Sequence, residues 1–529
     1  DVKPRPLGLI QKEKVFSYQL KLSEFYKLDS KTIKEKVEKM KANPEASALK
    51  KQLPKIKKLL QDRSYESVDL GLSILESLQD EAMLDSLLEG VDYMQDRLLP
   101  NKIFSGTSPA QPYLNYALFN VLKLACKIPK WEAFIQSIVS LKLDADKFTG
   151  INHFSNLHSL KITKSEFVDI EINLPKLKLL ILDNKEYKVA NRVNLDILKN
   201  CPKLEYLEAK NFTLSNGFNG IKELTKLKTL IVGRIANNTI TDLKELSQLK
   251  NLEVLKIDAA EVINSIEGIE NCTKLKILEF SRLPFTDSKP LANLYKLEEI
   301  KIYDSETTRL EFAPEVLSLK KIYLGHNNKL KEISDSLFSE TIKSLDLTST
   351  AISSFPNLKG VKTVENFSCG HCPELIDLKG LKHIETIGSL GLRMHFDKCP
   401  NLQDFNDILH LNPGEISVEV KKLRSDIPEN SLKKLELSRI NDLTGIEQFT
   451  ELESLIIYGA ELKSLLPLKN LKKLRKLSLK ENSGISSLDG IEHLQHLDIL
   501  DVSQMDNLKD IKALDNMQID KLYISKCFL

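Results

Sequence analysis

Residues 366–375 read NFSCGHCPEL, and within them Cys369-Gly-His-Cys372 is the one tetrapeptide whose side chains could do covalent chemistry. Two thiols separated by Gly370 and His371 could exchange disulfides, because a neighbouring imidazole favours the thiolate that attacks. The same residues could instead form half of a zinc site, with His395, Cys399 and His410 following closely in the sequence. The spacing does not favour zinc. Structural zinc sites are built from two tight ligand pairs, whereas the second group here has its histidine and cysteine four residues apart.

Other chemistry has little foothold. No phosphate-binding G-x-x-x-x-G-K-[ST] or G-x-G-x-x-G string occurs, and neither G-x-S-x-G nor H-E-x-x-H is present. Carboxylates are abundant but scattered. Cys126 lies in the apolar run LFNVLKLACKI, where burial is the expectation. The reading is therefore of a non-enzyme with no cofactor and no metal.

With 529 residues, 42 % of them apolar, the chain exceeds one ordinary domain and can bury a substantial core. A net charge of +2 gives no overall signature of nucleic-acid binding. No apolar run reaches the roughly 18 residues a membrane helix needs. Seven cysteines in a chain of this size are too sparse for a disulfide framework, which points to reduced thiols and a cytoplasmic location.

What must position any site is a repeat. From about residue 154 one phrase returns: LHSLKI (157–162), LKLLIL (177–182), LEYLEA (204–209), LKTLIV (227–232), LEVLKI (252–257), LKILEF (275–280), LEEIKI (297–302), LKKIYL (319–324) and IKSLDL (342–347). After a less regular middle it resumes with LKKLEL (432–437), LESLII (452–457), LRKLSL (474–479), LDILDV (497–502) and IDKLYI (519–524). The fourth positions Leu230, Leu255, Leu278, Ile300, Ile322 and Leu345 are 22 to 25 residues apart. Alternation along x-L-x-L-x is the period of a strand, and its inward residues become a core only when neighbouring copies stack.

The phrase L-x-x-L-x-L at this period resembles the leucine-rich repeat family. Stretches such as ITDLKELSQLKNL (240–252) and ISSLDGIEHLQHL (485–497) resemble its 22-residue subclass, found in internalins and in regulators of protein phosphatases. The resemblance covers 151–529 and implies an α/β solenoid of about seventeen repeats. It also implies a parallel concave sheet and short 3₁₀ or helical turns on the other side. It implies protein binding rather than catalysis: a sensor, adaptor, receptor, scaffold or regulatory subunit. An alternative within the same resemblance is a host-directed effector or defence-type receptor. Two stretches depart from the period, and a protruding helix is expected within 183–203 and a kink or loop within 391–431.

Placed in this register, Cys369 becomes the third core residue after Val364 and Phe367. Cys372 shares the C-x-x-L string with CPKL (201–204), CTKL (272–275) and CPNL (399–402), which reads as one recurring turn position. The expected role of C-G-H-C is thus structural.

Residues 1–150 lack the phrase and carry helical periodicity over 30–42, 46–62, 65–78, 80–97, 110–127 and 130–142, with Asp80 as a helix cap. An all-helical N-terminal domain is expected, capping the solenoid. Its charge is segregated: residues 1–64 hold seventeen Lys/Arg against eight Asp/Glu, and 65–99 hold nine acids against one Arg. The basic part leaves nucleic-acid association as an alternative function, although no aromatic residues interleave with KKQLPKIKK (50–58).

The candidate binding residues are outward positions of the concave strands, which are free of packing duty. They are Tyr206, Lys256, Glu299, Lys301, Tyr303, Lys321 and Tyr323, then Glu436, Tyr458, Lys480, Asp501 and Tyr523. Tyrosines set among mixed charges are what protein interfaces favour, so a protein partner is expected here, and no membrane.

Overall fold

The structure, a computed structural model, describes residues 46–95, 97–105, 111–144, 150–163, 172–183, 192–210, 212–233, 241–388, 393–494 and 496–527. The helix expected over 30–42 and most of the basic segment 1–64 lie outside the described residues. The chain divides into two compact units, 1–191 and 192–529.

In the first unit, apolar spacing produces helices α1 (Ala46–Leu60), α2 (Tyr65–Leu78), α3 (Glu81–Leu88), α4 (Gln111–Leu124) and α5 (Pro129–Ser137). Ser64 caps α2, and Asp80 caps α3 by accepting from the Met83 amide at 3.0 Å. Gly71 lets α2 press on α1, since a Cβ there would come within 3.1 Å of Leu59 Cβ. The helix expected over 80–97 stops at Leu88. Gly90 adopts φ +79°, and Asn101 donates to the Leu87 and Glu89 carbonyls that end it. The chain then turns back as an antiparallel hairpin of β1 (Asp92–Met94) and β2 (Arg97–Leu99). Local apolar spacing could not reveal that stop, because the hairpin's residues continue a plausible helical pattern.

Three parallel strands close this unit: β3 (Ser140–Asp144), β4 (Ser159–Thr163) and β5 (Leu179–Asp183), with Leu141, Leu160 and Leu180 in register. The helices pack directly on this first coil. Phe119 of α4 meets Phe154 at 5.6 Å between ring centroids, and Tyr93 donates to the Ser140 carbonyl at 2.5 Å. Gly150 fits against the Phe119 carbonyl, where a Cβ would approach to 2.7 Å.

The second unit is built from the phrase. One parallel sheet contains β6 (Tyr206–Ala209), β7 (Thr229–Val232), β8 (Val254–Asp258), β9 (Ile277–Ser281), β10 (Glu299–Tyr303), β11 (Lys321–Tyr323), β12 (Thr341–Asp346), β13 (Thr363–Ser368) and β14 (Thr386–Ile387) in that order. Another contains β15 (Arg393–Phe396), β16 (Glu415–Glu419), β17 (Lys434–Ser438), β18 (Ser454–Tyr458), β19 (Lys476–Ser478), β20 (His496–Asp501) and β21 (Gln518–Tyr523). Leu230, Leu255, Leu278, Ile300, Ile322 and Leu345 face one another in register, all buried. Strands alternate with short 3₁₀ turns such as Lys244–Gln248 and Ile269–Asn271.

The two irregular stretches resolve differently. Of 183–203, residues 184–191 lie outside the described residues, and the remainder forms the short strand Arg192–Val193 and the 3₁₀ turn Leu195–Leu198. Of 391–431, residues 391 and 392 lie outside the described residues, and the remainder includes β15, the 3₁₀ turn Asn406–Leu411 and β16.

In most described coils the residue two after the last inward strand residue takes positive φ: Arg282, Asp304, His326, Ser349, His371, Lys398, Arg439, Glu481 and Gln504 do so. The next residue points inward into a column that includes Ser305, Asn327, Thr350, Cys372, Cys399 and Asn482, all buried. Asn327 shows what this column does. Its Nδ2 donates to the Ile302 and Leu324 carbonyls at 2.7 Å each, and its Oδ1 accepts from Ser305 N and Oγ at 2.9 and 2.7 Å. Side chains here satisfy backbone groups that the turn takes out of the sheet ladder.

Candidate binding surface

C-G-H-C is one such turn. Cys369 is the last inward residue of its strand phrase, His371 is the positive-φ residue at +56°, and Cys372 occupies the inward column. Cys369 is 2 % exposed and Cys372 and Cys399 are fully buried. The Cys369 and Cys372 sulfurs lie 3.9 Å apart, Thr350 Oγ1 is 3.5 Å from Cys372 Sγ, and the Cys372 amide donates to Cys399 Sγ at 3.4 Å. Hydrogen bonding to Cys372, with burial, holds the Cys369 and Cys399 thiols well above the usual range. The same contacts draw Cys372 down. His371 and His395 are exposed while the sulfurs are buried, so the four groups do not converge on one ion.

The shared C-x-x-L string misleads in one respect. Cys372 and Cys399 follow strands, in the inward column. Cys201 and Cys272 close the 3₁₀ turns that precede strands, and Cys272 donates to the Leu246 carbonyl at 3.4 Å. These are two different positions of the coil. Leu204 and Leu275 open strand phrases, whereas Leu375 and Leu402 do not, and a four-residue string carries no information about that difference.

The outward positions form columns across the sheet. Lys256, Glu279, Lys301 and Tyr323 stand in one row on β8 to β11, with Glu299 and Lys321 paired in the row beside it. Lys256 pairs with Glu279 at 2.9 Å, Lys301 with Glu299 at 2.8 Å and Lys321 with Glu299 at 3.0 Å. Lys301 Nζ also lies 5.3 Å above the centre of the Tyr323 ring, a cation–π distance. Burial alone would raise the Glu299 carboxyl, but Lys301 and Lys321 outweigh it and hold it below its usual range. Burial, then the Asp346 charge, raises the Tyr303 phenol. Lys256, Glu299, Lys301, Tyr303, Lys321 and Tyr323 therefore form one patch. Sequence reasoning passed over Glu279, which links Lys256 to Lys301, although its place in the column between two lysines was readable.

The remaining candidates lie apart from this patch. Tyr206 on β6 donates to Glu208 at 2.5 Å, and burial with that carboxylate pushes its pKa up to about 12. On the second sheet Glu436 is half-buried, and burial, then the charges of Asp397 and Glu415, raises its carboxyl. Tyr458 lies close by; burial raises its phenol, with Glu436, Asp397 and Glu419 adding to the effect. Ile456, in register with Glu436, is exposed beside it. Lys480 pairs with Glu481 at 3.3 Å, and Asp501 faces the 52 % exposed Tyr523 across β20 and β21.

No helix among the described residues is long and apolar enough to cross a membrane. No protein-family model matches the chain, and no curated protein matches it. Among solved structures it is similar to an internalin, InlF, from Listeria monocytogenes at 17 % identity, over 73 % of this chain and 94 % of that one, with a TM-score of 0.33. It is also similar to a leucine-rich repeat protein of Leptospira interrogans at 19 % identity, over 74 % and 98 % of the two chains, with a TM-score of 0.40. A third similarity is to the functional domain of InlJ from Listeria monocytogenes, described as including a cysteine ladder, at 16 % identity over 66 % and 75 %, with a TM-score of 0.41. With its L-x-x-L-x-L phrases stacked strand on strand in register and 3₁₀ turns between them, this chain has a leucine-rich repeat fold with an N-terminal helical segment.

Proposed function

We propose that the chain is a non-catalytic recognition module that binds a protein partner across the outward face of its repeat sheet. One observation carries this reading: the continuous patch of Lys256, Glu279, Lys301, Glu299 and Lys321 beside Tyr303 and Tyr323. These side chains have no packing duty in the coil, yet they are held in fixed geometry. A pre-ordered mixed surface loses little side-chain entropy when a partner docks. Tyrosine supplies large contact area with few rotatable bonds. The chemistry-bearing residues elsewhere do not compete with this reading, since the C-G-H-C sulfurs are occupied in a buried turn. Seven cysteines, too sparse for a disulfide framework, fit residence in a reducing compartment, so the partner is sought in the cytoplasm.

The test is affinity capture from the native cell extract by the full chain, with bound proteins identified by mass spectrometry. The charge reversals Lys301→Glu and Lys321→Glu remove two of the patch's cations, and recovery of the dominant partner is expected to fall at least tenfold. Tyr458→Ala with Tyr523→Ala examines the second sheet. A partner recovered undiminished with both sets of changes would place binding elsewhere.

A further inference from the structure

The residue that follows the first leucine of each strand phrase forms a column of its own at the start of the strands. At several places along that column charges of opposite sign meet and tie one coil to the next. Lys228 pairs with Glu205 at 2.7 Å, Lys276 with Glu253 at 2.8 Å and Lys433 with Glu453 at 2.9 Å. In the phrases LDILDV and IDKLYI the same column reads Asp498 and then Asp520. Leu497 is opposite Ile519 and Ile499 opposite Lys521, so the two carboxylates are direct neighbours on β20 and β21. Arg475 faces Asp498 in the same column, and beyond it two carboxylates stand against each other, like charge against like charge as at Lys320 and Lys343, which disfavours the pairing of the strands.

The group beside them is an imidazole. His496 Nε2 lies 3.2 Å from Asp520 Oδ1 and 3.9 Å from Asp498 Oδ1, and all three donor atoms fall within 4.8 Å of one another. Among the described residues this is the one His, Cys and carboxylate trio so arranged. Ligand bonds of about 2.0–2.2 Å in tetrahedral geometry put donor atoms roughly 3.3–3.6 Å apart, and the two separations bracket that range. On its other side His496 Nδ1 lies 2.6 Å from Arg475 Nη1.

We propose that His496, Asp498 and Asp520 bind a divalent transition-metal cation that clips β21 to β20. One imidazole and two carboxylates form a nitrogen–oxygen donor set of the kind that zinc, cobalt and manganese accept. The ion supplies the positive charge that lysine provides in the paired coils named above. Without metal, His496 accepts from Arg475 at Nδ1 and donates from Nε2 to Asp520. On coordination the imidazole proton moves from Nε2 to Nδ1, the Nε2 lone pair goes to the metal, and exposed Arg475 swings into solvent.

Cobalt(II) and zinc(II) titrated into the chelator-treated full chain test the site. Cobalt is expected to give visible d–d bands without the near-ultraviolet charge transfer that a thiolate ligand would produce. Both ions are expected to raise the melting temperature. His496→Ala is expected to weaken binding more than about tenfold. Asp520→Lys restores opposite signs to the column, so this variant should melt above wild type without metal and lose its response to metal. Absent binding, a sulfur-to-cobalt band, or a response undiminished in His496→Ala overturns the proposal. So does an Asp520→Lys chain that melts no higher than wild type.

Discussion

At the scale of single residues, the inward column after each strand turns a side chain into a substitute for backbone. Asn327 carries four such hydrogen bonds in a fully buried place. Asn327→Ala leaves those carbonyls and the Ser305 groups without partners, and should lower unfolding free energy by about 2–4 kcal/mol in urea denaturation. Glu436 gives a prediction with a sign. Burial, then Asp397 and Glu415, raises its carboxyl, so the folded chain holds this proton to higher pH than the unfolded one. Stability from that site is therefore present at low pH and lost as pH rises through the raised folded value. Glu436→Gln should raise the melting temperature at pH 7 and give no advantage below the carboxylate range; a variant melting lower at pH 7 would contradict the assignment. C-G-H-C was legible as a structural turn, because Val364 and Phe367 place Cys369 inward. The position of Cys372 was only half legible. Its string matches CPKL and CTKL, and only the location of the strands separates the two.

At the scale of the element, a strand phrase specifies which residues are inside, and that is testable by contrast. Leu345 is 1 % exposed and lies between Ile322 and Phe367, so Leu345→Ala should cost about 2–5 kcal/mol. Ile456 faces outward on β18 and is 38 % exposed, and Ile456→Ala should cost under about 1 kcal/mol. Equal losses in chemical denaturation would mean that the register does not determine burial. The column from Leu230 to Leu345 was readable from spacing alone, because each phrase repeats the same inward alternation. The β1–β2 hairpin was not, since Val91, Tyr93, Met94 and Leu98 continue a helical spacing past Gly90. The turn itself was invisible in the sequence: Arg282, His326, His371 and Glu481 hold positive φ although none is glycine. His371→Gly removes the steric penalty at that position and is expected to leave stability unchanged or raise it by up to about 1 kcal/mol. A large loss would show that the imidazole itself is needed.

At the scale of the whole molecule, coils touch only their neighbours, so stability is distributed along the chain and is weakest where pairing is interrupted. Leu455→Ala, in the core of β18, should speed amide hydrogen exchange across 415–502 far more than across 229–346; an equal effect on both sheets would mean that they open as one. The repeat fold was legible at this scale and the face proposed to bind was not, because every outward position looks alike in sequence until its neighbours across strands are known. Those neighbours also govern kinetics. On the patch of β8 to β11 each lysine rests on a glutamate, so little field extends beyond a Debye length of about 8–10 Å. A partner approaching this face is not steered. Its association rate should stay near the unsteered ~10⁵–10⁶ M⁻¹s⁻¹ and change little between low and high salt, leaving discrimination to how slowly the complex comes apart.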